Sequence, residues 1–387
     1  MSVIVTIKTD HNPLEWMARL DALNVSYSRF ASFPLIFSLP DVEPEFFDLD
    51  DWPEILDIED SGKRLGTTVQ SLNFYENWVG GNWGLARHTK RDLPWARLGL
   101  KLPSSSTFHA TRDGTGVDIY VVDSGVEIAH PEFSGRATIL FEHEDTAGIG
   151  DNNGHGTAVA ACAAGINIGF ARAALIWSCK CLDGATNTGS IANILSAIDA
   201  AITHYNGRAR PAVINLSLTG SSTSLSTAVS NATTVGIVVV VAAGNDRSDL
   251  DSAYQAYPAE SDYSITVGAS TPADTPADFT NFGTRVDINA AGAMVHTAHL
   301  RSITEYAVWN GTSFASPMVA GAVACILQDY QKLTSNTQTQ LVKNYLRQVA
   351  TWGKLNITST MLPLPNALLY MEPTSEYPMI TGLTPNA

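Results

Sequence analysis

A run of six residues without a polar side chain, Gly236 to Val241, constrains this chain more than any other segment. Side chains alternate between the two faces of a strand, so a run that is apolar at every position needs cover on both faces, as a parallel strand in an α/β layer has. It exits through Ala242-Ala243-Gly244-Asn245. Asp118–Val122 is a similar short β-branched run ending on Asp123-Ser124-Gly125, and Ala212–Leu218 runs into Thr219-Gly220. Ala174–Leu182, Ile265–Gly268 and Val286–Ile288 read as further strands, and Ser190–Ile202, Leu225–Thr234 and Thr337–Val349 as helices. From Trp83 onward the chain therefore alternates β with α. That is the pattern of an open α/β fold, which collects functional groups at the carboxyl ends of its strands.

The segment before this is organised differently. Val3–Lys8 alternates like a strand, Asp10 to Asn12 offers cap residues, and a helix follows from Pro13 to about Leu23. Val25–Ala31 and Pro34–Leu39 read as two strands, an acidic stretch from Glu43 to Asp51 as a short helix, and Ile55–Ile58 as a last strand. Strand, helix, strand, strand, helix, strand is the ferredoxin-like order, so residues 1–66 read as a small α+β domain. Residues 67–81 follow as a linker, 82–370 as the main domain and 371–387 as an irregular tail.

With 45% hydrophobic and 16% charged residues the chain suits a compact globular protein, and its 387 residues suffice for a large core. A formal net charge of -15 opposes nonspecific binding to nucleic acid and to anionic membranes. The start, MSVIVTIKTD, lacks the basic-then-apolar pattern of a signal peptide, and no apolar run approaches a membrane span. The compartment stays open between an intracellular protein, a component of a viral particle and export by another route. Cys162, Cys179, Cys181 and Cys325 fit neither a bridge nor a zinc set and read as buried thiols.

Three polar sites stand at the edges of these elements. Asp123 ends a strand, His155 lies in Asp151-Asn152-Asn153-Gly154-His155-Gly156-Thr157 ahead of a small-residue helix, Ala158 to Ala164, and Ser313 follows Asn310-Gly311-Thr312. Ala315-Ser316-Pro317 then leads into an apolar run through Leu327; proline in a first helical turn would put Ser313 at the N-terminus of a buried helix. Taken singly, Asp123 is equally a turn residue, His155 part of a polar loop and Ser313 a helix cap. Together they supply what nucleophilic serine catalysis needs: a nucleophile, a base and a carboxylate to orient the base. Asn245, after its buried strand, could add a side-chain N–H for an oxyanion.

The segments VVDSGVEIAHPEFSGRA, NGHGTAVA, NLSL, VVAAGN and NGTSFASPMVAG resemble those of the subtilisin-like serine proteases, and NWGLAR at 82–87 brings the chain nearest to the proteinase K group. The order Asp, His, Ser is that of subtilisin. The resemblance spans about 82–370 and implies a doubly wound, mostly parallel sheet, with Asp123, His155 and Ser313 as triad. It implies Asn245 and the backbone N–H of Ser313 as oxyanion donors. It also implies that Leu216, Ser217, Leu218, Thr219, Gly220, Ala242, Ala243 and Gly244 bind an extended peptide. The N-terminal domain is similar in layout to the prodomains that template and inhibit these enzymes, with self-cleavage expected between Leu65 and Glu76 and Tyr75–Glu76 the first choice. A structural Ca²⁺ is implied on Asp287 and the carbonyls of Tyr263 and Ile265. No organic cofactor is implied.

The expected function is a serine endopeptidase of broad, mainly apolar specificity acting on proteins or peptides, with its own N-terminal domain as a partner. The alternatives are a catalytically silent module of the same fold and a small-molecule esterase or amidase. Departures from the family pattern are Ala158 for a second histidine, Ala161 for a glycine, and Thr219 for a glycine at the rim of the specificity pocket.

Overall fold

A computed structural model describes residues 3–7, 13–23, 25–30, 32–39, 55–60, 64–66, 71–73, 83–93, 112–144, 146, 148–252, 256–300, 306–372 and 378–386. The chain opens with β1 (Val3–Ile7), α1 (Pro13–Ala22), β2 (Ser28–Phe30), β3 (Phe33–Leu39) and β4 (Ile55–Asp60). These strands pair antiparallel in the order β2-β3-β1-β4, the order of a split βαβ unit. Val3, Val5 and Ile7 pack with Phe37 and Leu39 against Trp16 and Leu20 of α1. The helix expected at Glu43–Asp51 lies outside the described residues.

Next come β5 (Arg64–Gly66), β6 (Ser71–Asn73) and α2 (Trp83–His88), then β7 (Asp118–Asp123), β8 (Ala137–Glu142) and α3 (His155–Ala164). The series continues through β9 (Leu175–Lys180), β10 (Thr188–Ser190), α4 (Ile191–Asn206), β11 (Ala212–Leu216), α5 (Thr223–Thr234), β12 (Val238–Ala242), β13 (Ile265–Ser270) and β14 (Ile288–Ala291). It closes with β15 (Val295–Ala298), β16 (Tyr306–Asn310), α6 (Thr312–Leu327), α7 (Asn336–Val349), β17 (Thr351–Trp352) and β18 (Ala367–Leu368).

The large sheet has the order β17-β18-β14-β13-β12-β11-β7-β9-β8, with every pair parallel except β17–β18. Alternation splits each central strand between two cores. Ile119, Val121, Val213, Val238 and Val240 face the layer of α3 and α6, whereas Tyr120, Val122, Ile214, Val239 and Val241 face α4 and α5. This two-sided burial is what the apolar runs required. The strand order reverses beside β7, whose neighbours are β9 and β11, so the carboxyl ends of β7, β11 and β12 surround one crevice.

The N-terminal sheet lies on α4 and α5. Ile4, Phe30 and Ile36 join the core on that side, Thr6 Oγ1 stands 3.2 Å from Ser224 Oγ, and the Ser32 amide donates to Asp199 Oδ1 at 2.5 Å. Beyond this sheet, β5 pairs antiparallel with β10 and β6 antiparallel with β16. The tail has no helix among its described residues, yet Ile380 and Leu383 are buried in the main core. No described helix is long and apolar enough to cross a membrane.

Candidate active site

Asp123 is the last residue of β7, and His155 is the first of α3 rather than three residues ahead of the helix as the sequence suggested. The two meet. His155 Nδ1 lies 2.8 Å from Asp123 Oδ1, and both side chains are fully buried. Asp123 Oδ1 also accepts the Ser124 amide at 2.7 Å. A bond at Nδ1 fixes the ring so that Nε2 is the nitrogen left for proton transfer, and Nε2 has no partner among the described residues.

Close approach of α3 to the β7 exit requires glycine. A Cβ on Gly156 would stand 2.0 Å from the Gly125 carbonyl oxygen. Asp151 ties the same two segments together, a role the sequence reading missed. Its Oδ1 accepts from Ser124 Oγ at 3.0 Å, Asn153 N at 3.0 Å and Gly154 N at 2.8 Å, while Oδ2 accepts from Thr157 N at 2.8 Å and Thr157 Oγ1 at 2.7 Å. It thus serves the N-terminal amides of α3, which a Gly154 cap cannot satisfy with a side chain. An acidic residue four positions before the histidine was the available signal.

Ser313 is the second residue of α6, 3% exposed, with the first-turn amides around it. Its Oγ donates to the Ser217 carbonyl at 3.3 Å, and Ser217 Oγ donates back to the Ser313 carbonyl at 2.8 Å. Pro317 sits in the second turn of α6, not the first as the sequence suggested. The ring of Phe314 lies 5.5 Å from that of His155, centroid to centroid, so α6 and α3 meet at the site.

Asn245 follows β12 and holds α6 from the other side. Its Oδ1 accepts both the amide and the hydroxyl of Thr312 at 2.9 Å, which turns Nδ2 away from Thr312. The loop before it is tied by Asn281, whose Nδ2 donates to Ala243 O at 2.8 Å and whose amide donates to Gly244 O at 3.0 Å. Gly244 has φ +99°, and a Cβ there would stand 2.4 Å from Asn281 Nδ2, so only glycine fits.

The expected peptide-binding residues fall in two segments. Leu216, Ser217, Leu218, Thr219 and Gly220 end and follow β11; Ala242, Ala243 and Gly244 end and follow the neighbouring β12. Gly220 is fixed by paired bonds with Tyr257, N to O at 2.8 Å and O to N at 2.7 Å. The Thr219 methyl would lie 3.5 Å from a Cβ on Gly244, ordinary contact distance, so the two segments meet at these residues.

The four cysteines are buried free thiols, and burial pushes all four up, Cys162 to about 12. None is an available nucleophile. Among the described residues no group of three or more His, Cys, Asp or Glu gathers as a metal site.

The expected calcium ligands do not fit a divalent ion. Asp287 is buried and already holds two cations: Lys343 Nζ lies 2.9 Å from its Oδ2 and an Arg347 nitrogen 3.6 Å from its Oδ1. Lys343 also donates to the carbonyls of Ser264 at 2.7 Å and Asp262 at 3.4 Å. The carbonyls that face this cation are therefore those of 262 and 264, not of Tyr263 and Ile265.

Comparison with known proteins places the chain in a family. The profile of the subtilase family matches residues 114–362, more than half of the chain. An extracellular serine proteinase of Thermus sp. (strain Rt41A) is 39% identical over 65% of this chain and 58% of its own length. Subtilisin-like protease 2 of Pseudogymnoascus destructans is 37% identical over 71% of this chain and 64% of its own length. Proteinase T of Parengyodontium album is 34% identical over 63% and 84%. A solved cold-adapted subtilisin-like serine proteinase superposes with a TM-score of 0.64 at 31% identity, covering 75% of this chain and 98% of that one. The chain thus spans less than two thirds of the length of the first two relatives.

Proposed function

This chain belongs to the subtilase family, and we propose from that premise that it is a serine endopeptidase hydrolysing peptide bonds of proteins. The observation that carries the reading is the fully buried Asp123–His155 bond, with the His155 ring 5.5 Å from that of Phe314, the residue after Ser313 in the first turn of α6. His155 Nε2 takes the Ser313 proton as Oγ attacks the scissile carbonyl, and returns it to the leaving amine; Asp123 holds the tautomer and stabilises the imidazolium. Ser313 Oγ must first give up its long bond to the Ser217 carbonyl, which a side-chain rotation achieves. Asn245 Nδ2 and the Ser313 amide receive the oxyanion. Water then repeats the cycle on the acyl-enzyme.

The substrate backbone runs in an extended form between β10 and the β11 exit, and its side chain before the scissile bond lodges beside Thr219 and Gly244. Residues 1–66 act as an inhibitory prodomain. Support comes from the backbone pairing of β5 with β10, which takes up a strand edge beside the crevice. The chain carries all four of Asp123, His155, Asn245 and Ser313, which favours turnover over a silent module.

Hydrolysis of casein and of a peptide amide by the purified protein is the test, with Ser313→Ala as control. We expect the parent to cleave both and Ser313→Ala or His155→Ala to lose about 10⁶ in turnover, as in a subtilisin. Asn245→Ala should lose about 10²–10³, chiefly in kcat. Undiminished cleavage by Ser313→Ala overturns the mechanism.

A further inference from the structure

The side chains around Asp287 form a cation site whose cation belongs to the chain. Asp287 immediately precedes β14, its carboxylate is 5% exposed, and one oxygen is fixed by the Thr266 amide at 2.9 Å. A carboxylate this deep is costly unless a positive charge is supplied to it. Two come from one face of α7, where Gln340, Lys343 and Arg347 follow helical spacing. Lys343 reaches furthest in. Its side chain is 13% exposed, and its ammonium spends its donors on Asp287 Oδ2, Ser264 O and Asp262 O, an oxygen set of one carboxylate and two carbonyls. Gln340 Nε2 adds a long bond to the same Asp262 carbonyl at 3.4 Å.

Those three oxygens are what a hard cation with oxygen ligands would use. We propose that the Lys343 ammonium replaces a divalent cation at this position, so that docking of α7 does here what metal binding would do, and the Asp287 site needs no metal. A divalent ion could not be added beside it: it would share the Asp287 carboxylate with two fixed positive charges at a few ångströms' distance, and the neighbouring Asp262 carboxylate is 85% exposed and paired with Arg285. The consequence is a site whose contribution to stability is indifferent to chelators and independent of the catalytic reading above.

The experiment is thermal unfolding of the full chain in a Ser313→Ala background, which prevents self-digestion, with excess EDTA or with millimolar CaCl₂. Lys343→Ala should lower the midpoint in EDTA by about 5 °C or more, since it strands a buried carboxylate. Lys343→Ala with Arg347→Ala should regain part of that loss in CaCl₂ but not in EDTA. Asp287→Asn should leave the calcium response of the parent unchanged, whatever its size. Two results overturn the proposal. One is a calcium-dependent rise in the parent midpoint that Asp287→Asn abolishes; the other is a Lys343→Ala midpoint within a degree of the parent's.

Discussion

The Ser217 hydroxyl donates at 2.8 Å to the Ser313 carbonyl, the acceptor that Pro317 leaves without its intrahelical donor. In a regular helix the amide of residue 317 would bond the carbonyl of residue 313, and proline has none. Asn215 Nδ2 holds Ser217 Oγ at 2.9 Å, and Ser316 Oγ holds Asn215 Oδ1 at 2.8 Å, so a buried chain of polar groups joins β11 to the first turns of α6. The proline thus frees the backbone beside the nucleophile to be gripped from the neighbouring strand.

That relationship makes Ser217 a positioning residue. Ser217→Ala strands the Ser313 carbonyl at a cost of about 1–3 kcal/mol, and we expect kcat to fall about 10- to 100-fold with KM little changed. Pro317→Ala restores an amide aimed at that carbonyl, so the double variant should recover part of kcat. Steady-state kinetics on a peptide amide decide it; an unaltered kcat in Ser217→Ala would refute the role.

How far the sequence could be read follows from these same residues. Central strands such as β12 were legible because two-sided burial leaves a continuous apolar run, and the polar exits at Asp123 and Asn245 followed from it. The β15–β16 hairpin was not read. Val295–Ala298 is too short and polar to stand out, and Tyr306–Asn310 runs straight into the helix that draws the eye. Pro317 was placed one turn too early, since the start of α6 at Thr312 depends on the Asn245 side chain, a contact across 67 residues. Lys343 shows the general limit: periodicity places it on α7, but nothing local says that its ammonium reaches Asp287.

Thr219 should bias specificity. Its methyl stands at contact distance from the Gly244 position, at the rim proposed for the residue before the scissile bond, and pockets of this kind discriminate by about 1–3 kcal/mol per methylene. Ala, Leu and Met should therefore compete well with Phe and Tyr. A peptide-library profile of Thr219→Gly should move towards aromatic residues by about tenfold, and an unmoved profile removes Thr219 from the rim.

His88 should give the fold an acid-sensitive slope. It is fully buried between two backbones, with Nδ1 3.0 Å from the Leu369 carbonyl and Nε2 accepting the Ala291 amide at 2.9 Å. Burial, helped by the Arg87 charge, pushes its pKa down to about 3. The unfolded chain therefore takes up a proton near pH 6.5 that the folded chain refuses until about 3. Stability is full above pH 6.5 and falls through that window as pH drops, by about 1.4 kcal/mol per unit. Denaturant unfolding of Ser313→Ala between pH 6.5 and 5 should lose about 2 kcal/mol more than the same protein carrying His88→Gln. Parallel curves would show that His88 titrates alike in both states.

Self-cleavage should fall between Gly66 and Ser71. The strand pairings bracket this window: β5 ends at Gly66 on the edge of β10, and β6 begins at Ser71 opposite Asn310, three residues before Ser313. With β5 paired to β10 and β6 paired to β16 just before Ser313, both ends of this stretch are anchored, which gives the cut the entropic advantage of an intramolecular reaction. Tyr75–Glu76, the bond favoured from sequence, lies outside the described residues and beyond β6, past the pairing with β16. Intact mass and N-terminal sequencing after expression are the measurement. The parent should expose a new terminus from Thr67 to Ser71, and Ser313→Ala should stay whole. Gly66→Pro, which alters the backbone at the last paired residue of β5, should slow the cut without touching the triad. A full-length parent that is nonetheless fully active would make residues 1–66 a permanent accessory domain and end the prodomain reading.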